Sequence, residues 1–133
     1  MRLHHVAVLC SSQENADRFY GKILGLHKIK ASLLSQDFAE AIFHIAQKCT
    51  VVAYGSENMM VEVFVLESPL ENRAPFVHLC LEVENREEFA RKCRDAALTV
   101  NWIEKGDSLL VFVADYDGNL FEVKERVGWI PAP

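Results

Sequence analysis

Two histidines and two glutamates sit in stretches otherwise too apolar to hold them. His5 lies in "LHHVAVLC", Glu62 in "MMVEVFV", His78 in "FVHLCLEV" and Glu122 in "NLFEVKE". Burying an ionisable side chain among Val, Leu and Phe is costly unless something pairs with it. Imidazole and carboxylate together suit a divalent ion (Ni, Zn, Co, Mn or Fe), and such a cation offsets the repulsion between two carboxylates. His5, Glu62, His78 and Glu122 are therefore candidate metal ligands. Taken singly, each has a plainer reading: His5 as a hydrogen-bonded core histidine, Glu62 and Glu122 on a solvated strand face, His78 at a sheet edge.

The case for one site rests on how the chain repeats. A short apolar strand, Leu3–Cys10, is followed by helical spacing over 12–24, where Ala16, Phe19, Tyr20, Ile23 and Leu24 form one stripe. Ser11 and Glu14 have capping-box spacing, and Gly25 suits a helix stop. Strand-like segments follow near 28–34, 39–46, 50–54 and 58–66. "SPLENRAP", residues 68–75, reads as a linker. The pattern then restarts with "FVHLCLEV", a helix over 85–97 capped by Asn85 with a Phe89, Cys93 and Ala96 stripe, and strands near 99–103, 108–114 and 119–125. The order β-α-β-β-β thus occurs twice, with His5 opposite His78 and Glu62 opposite Glu122. The His-to-Glu interval is 57 residues in the first half and 44 in the second, so 13 extra residues belong to connections of the first half.

Composition narrows the setting. The chain has 133 residues, enough for one compact domain burying roughly two-thirds of its unfolded surface. A net charge of −5 leaves no basic patch for nucleic acid or an anionic membrane. No apolar run approaches the length of a membrane span, and the first residues lack a leader-like apolar core. Cys10, Cys49, Cys80 and Cys93 form no CxxC pair, and three of them lie in patterns typical of buried free thiols. A reduced, cytoplasmic protein is expected.

The motifs "LHHVAVLC…ADRFYGKILGL", "VEVF", "VHLCLEV" and "VADYDGNLFEVKE", spanning residues 3–125, resemble the vicinal oxygen chelate superfamily of glyoxalase I, methylmalonyl-CoA epimerase, extradiol dioxygenases, and fosfomycin- and bleomycin-resistance proteins. The resemblance implies an α+β fold in which two βαβββ units, here 1–67 and 76–133, form a half-barrel cleft around a divalent metal. It carries the ligand role onto His5, Glu62, His78 and Glu122, and onto Glu62 or Glu122 the role of a base that leaves the metal. His4 is expected on the opposite strand face. A His-Glu-His-Glu set looks most like glyoxalase I, whereas dioxygenases and fosfomycin enzymes resemble a His-His-Glu triad. Glutathione-using glyoxalases commonly carry an Arg where this chain reads Ala7-Val8-Leu9, and an Asn-Trp segment where it reads "FVLESP". The expected activity is therefore metal-assisted proton abstraction, as in an isomerase, lyase or epimerase, on a small α-oxo or 2-hydroxy acyl substrate. The alternatives are a drug-binding protein of the bleomycin-resistance type and a dioxygenase. Phe43, Met60, Phe64, Phe112 and Trp102 are candidates to line the cleft, although plain core is the commoner role for strand aromatics. A homodimer is expected by resemblance.

Overall fold

The computed structural model describes residues 4–70 and 78–126. The chain divides into two compact units, Met1–Ala74 and Pro75–Pro133. Each is built on a four-stranded mixed sheet.

In the first unit, β1 (Val6–Cys10) leads into α1, an α-helical turn Gln13–Ala16 that widens into a π-helical stretch, Asp17–Ile23. The N-cap is Ser12, whose hydroxyl accepts from the Asn15 amide at 3.1 Å. Ser11 was the residue expected there; its hydroxyl instead accepts from the Asn15 side chain. Gly25 ends the helix at φ +70°, the left-handed conformation that glycine adopts without strain. The stripe read from the sequence is buried at Ala16, Phe19, Tyr20 and Ile23, with Leu24 half-buried. Tyr20 meets Tyr54 of the sheet at 5.8 Å between ring centres.

Strands β2 (His27–Leu34), β3 (Cys49–Gly55) and β4 (Met60–Leu66) complete the sheet in the order β1-β4-β3-β2, with β1 and β4 parallel. The segment 39–46, expected as a strand, instead holds the end of a helix, α2 (Gln36–Phe43), and the irregular residues 44–46 after it. A short apolar run does not by itself distinguish the two. Ser35 decides it locally, its hydroxyl accepting from the Phe38 amide, and Ala39 packs with Cys49, Phe64 and Leu66. His44 closes the helix in the left-handed region at φ 57°, a stop that no glycine signalled. This helix accounts for nearly all the extra length of the first half: Lys30 and its partner Ala53 are 23 residues apart, whereas Asn101 and its partner Phe112 are 11 apart.

The second unit repeats the scaffold without the inserted helix. Its elements are β5 (Leu79–Val83), α3 (Arg86–Asp95), β6 (Val100–Lys105), β7 (Ser108–Ala114) and β8 (Leu120–Glu125), in the sheet order β5-β8-β7-β6. Asn85 caps α3 by accepting from the Glu88 amide at 2.9 Å, as expected. Cys93 is fully buried on the helix, with Val111, Val113, Phe121 and Val123 buried on one face of the sheet. The turn before β8 is held by Asp115, whose carboxylate accepts from the Asn119 side chain at 2.7 Å and from the Asp117 and Asn119 amides. Of the expected linker, Ser68 and Pro69 are exposed, and 71–75 lie outside the described residues, as does Leu3.

Candidate metal centre and adjoining cavity

The period-two alternation of strand side chains fixes which residues can meet. Glu62 is the third residue of β4 and pairs with Ala7; His5 lies two positions before Ala7. Glu122 is the third residue of β8 and pairs with Cys80; His78 lies two positions before Cys80. Each histidine immediately precedes its strand, and each stands beside its glutamate: His5 Nε2 is 3.4 Å from Glu62 Oε2, and His78 Nε2 is 3.3 Å from Glu122 Oε2. The four sequence candidates therefore form two pairs, one in each unit. Among the described residues, no three His, Cys, Asp or Glu side chains gather into a larger cluster.

The donor spacing is one that a shared cation allows. A charge-assisted N–H···O bond runs about 2.7–2.9 Å. Two ligands each about 2.1 Å from one ion, at tetrahedral or octahedral angles, lie about 3.0–3.4 Å from each other. Both pairs fall at that wider spacing. The glutamates are the more enclosed partners, with 24% and 14% of their side-chain surfaces exposed against 40% and 34% for the histidines.

What surrounds each pair differs. His5 presents its other ring nitrogen to His4, Nδ1 to Nδ1 at 2.9 Å, and the two rings meet edge to face. His4 therefore does not stand apart on the opposite face. Both histidines precede β1, where the pleat no longer separates neighbours. A contact at one ring nitrogen restrains the orientation of an imidazole, and His4 makes that contact with His5. His78 is instead braced by the Phe112 ring at 5.6 Å between centres, also edge to face. Lys124 lies 3.6 Å from Glu122 Oε1, so both oxygens of that carboxylate have partners. The residue two beyond Glu62 is Phe64, and only Oε2 of Glu62 has an ion-pair partner among the described residues.

Cys80 shares the face of His78 and Glu122 and is exposed. Partial burial and the neighbouring Glu122 carboxylate raise its thiol above the ordinary value. The spacing His78-x-Cys80 carried this juxtaposition, although the cysteine pattern alone gave no reason to choose it. Trp102, a candidate for lining the site, stands on the helix side: it pairs with Val111, and the Arg86 guanidinium lies over its ring at 5.4 Å.

In the first unit the site face opens into a cavity of about 230 Å³. Glu62 and Ala53 form part of its wall, Lys30 and Ser32 come from β2, and Phe38 and Phe43 from α2. Phe43 packs edge to face on Phe64 at 5.0 Å. Phe43 and Phe64 thus line this cavity, as the sequence suggested; Lys30 and Phe38 were not anticipated.

The chain belongs to the Glyoxalase/Bleomycin resistance protein/Dioxygenase superfamily, whose family model matches residues 2–123. Solved structures share the fold at low identity. A glyoxalase family protein from Bacillus cereus superposes with a TM-score of 0.74 at 15% identity, over 96% of this chain and 95% of that one. One from Enterococcus faecalis gives 0.70 at 18% identity, over 92% and 95%. The fosfomycin resistance protein FosX from Listeria monocytogenes, complexed with Mn(II) and sulfate, gives 0.65 at 14% identity, over 96% and 93%. No curated protein matches the chain in sequence.

Proposed function

We propose that His5, Glu62, His78 and Glu122 are ligands of a divalent ion, and that the protein is a glyoxalase-like enzyme abstracting a proton next to a carbonyl of a small α-oxo or 2-hydroxy acyl substrate. The observation that carries this is the repeated 3.3–3.4 Å separation of His Nε2 and Glu Oε2 at the same topological position of both units. Mn(II) in a FosX structure supports the metal reading. A bound divalent ion would supply Lewis-acid polarisation of two adjacent substrate oxygens, acidifying the neighbouring C–H.

The surroundings divide the labour between the glutamates. Glu122 is held from both oxygens, by His78 and Lys124, and is the less exposed. It suits a fixed ligand. Glu62 has a single ion-pair partner among the described residues and lines the cavity, so its carboxylate can turn toward a substrate there and take the proton. Return of that proton to the opposite face or the adjacent carbon gives epimerisation or isomerisation. The four cysteines form no CxxC pair, a pattern that suits a reducing, cytoplasmic setting.

The test is elemental analysis of protein purified from metal-replete medium, followed by hydrogen–deuterium exchange at the α carbon of 2-hydroxy and α-oxo acyl substrates. The expected result is a stoichiometric divalent ion and metal-dependent exchange. Ligand binding without metal or exchange would favour the drug-binding alternative.

A further inference from the structure

We infer that the cavity of the first unit is a subsite for a small anionic molecule with an apolar, ring-sized body, its anionic group held by Lys30 and its body by Phe38, Phe43 and Phe64. The inference rests on the proposed role of Glu62 only in supposing that this molecule is the substrate.

Sheet register supplies the first part of the argument. One row across the first sheet reads Ala7, Glu62, Ala53, Lys30. The matching row of the second sheet reads Cys80, Glu122, Phe112, Asn101. Where the second unit places a phenylalanine beside its glutamate, the first has the small, buried Ala53, which forms part of the cavity floor. Where the second unit has a neutral amide, the first has an ammonium. One intervening strand puts Lys30 and Glu62 about 10 Å apart at their backbones.

Charge supplies the second part. Lys28, two residues away, is committed to Asp17 at 2.8 Å. Lys30 has no ion-pair partner among the described residues, and it lines the same cavity as Glu62. Glu62 is engaged by His5 at 3.4 Å, and Lys30 is the cationic side chain of the cavity wall, the group that an anion would meet.

Size and surface supply the third. About 230 Å³ lies below the range of drug-sized pockets and is equivalent to about eight water molecules in the liquid. Phe38 and Phe43 are 52% and 44% exposed on the inserted helix, an apolar surface that a ring-sized body would cover.

The test is calorimetric titration of the full chain with benzoylformate, its neutral amide and pyruvate, repeated after removal of metal by chelation. Benzoylformate is expected to bind about tenfold more tightly than either probe lacking the charge or the ring. Lys30→Gln, an exposed and conservative change, should erase the preference for acid over amide and leave amide binding unchanged. Phe43→Ala should erase the preference over pyruvate. Retention of both preferences in metal-free protein establishes the subsite independently of catalysis. Absence of benzoylformate binding, or an unchanged acid preference in Lys30→Gln, overturns it even if metal and proton exchange are present.

Discussion

The two units share strand order, the parallel β1–β4 and β5–β8 pairings, and nearly the same His–Glu distance, yet they surround that pair in opposite ways. The second unit is filled: Phe112 occupies the middle of the row and braces His78, and Lys124 holds Glu122. The first is more open: a cavity lies against Ala53 and Glu62, His4 orients His5 by a polar contact, and the inserted α2 walls the space with aromatic rings. The repeated scaffold carries one His–Glu pair per unit and has been elaborated on one side only. On the proposed function, the second unit suits permanent coordination and the first suits substrate.

The largest effect expected from breaking this division is catalytic. Glu62→Gln keeps a carbonyl donor and most of the metal but should lower kcat by about 10²–10⁴, the range typical of a lost general base. Glu122→Gln should lower metal content and activity together. If the two variants behave alike in metal analysis and steady-state kinetics, the assigned roles are wrong.

Next come the packing differences. Phe112→Ala removes the brace of His78 and should cost about 2–3 kcal/mol in denaturant unfolding, less than a fully buried phenylalanine because Phe112 is half-buried. Ala53→Phe should instead close the cavity of the first unit and abolish benzoylformate binding. A smaller effect is expected beneath α1, where the Asp17 carboxylate accepts from the Tyr54 hydroxyl at 2.8 Å and pairs with Lys28. Tyr54→Phe should cost about 1 kcal/mol. Burial works to raise the Asp17 carboxyl, but the Lys28 ammonium and the Tyr54 hydroxyl outweigh it, leaving it below its ordinary value of 3.8. Its stabilising contribution is therefore complete above that value and lost as pH falls through the lower folded-state value. Acid titration of stability should be shallower in Asp17→Asn than in wild type. The smallest effect is His4→Ala, expected to weaken metal binding only a few fold because its contact with His5 is exposed. Metal affinity unchanged in that variant would return His4 to the status of a mere neighbour.

Much of this was legible because strands and ligands obey short periods. The spacing of Ala16, Phe19, Tyr20 and Ile23 marked the buried helix face, Asn85 and Glu88 marked a helix start, and alternation around Glu62 and Glu122 marked one face of each sheet. Four features were not legible. The segment around "FAEAIFHI" is apolar enough to read as a strand, and its helical state depends on Ser35 and on packing of Ala39 against strands distant in sequence. The widening of α1 into π-helix follows from no residue that we can identify. The His4–His5 contact contradicts strand alternation because both residues precede the strand. Lys30 escaped notice because its importance depends on Ala53 being small, a relation visible only once β2 and β3 are in register.

The central claim is that both His–Glu pairs are required to bind the metal, and metal analysis of the wild type and of single variants tests it most directly. One divalent ion per chain is expected in the wild type, with His5→Ala and His78→Ala each removing it. Two ions per chain, or full retention of the ion after loss of either histidine, would contradict it.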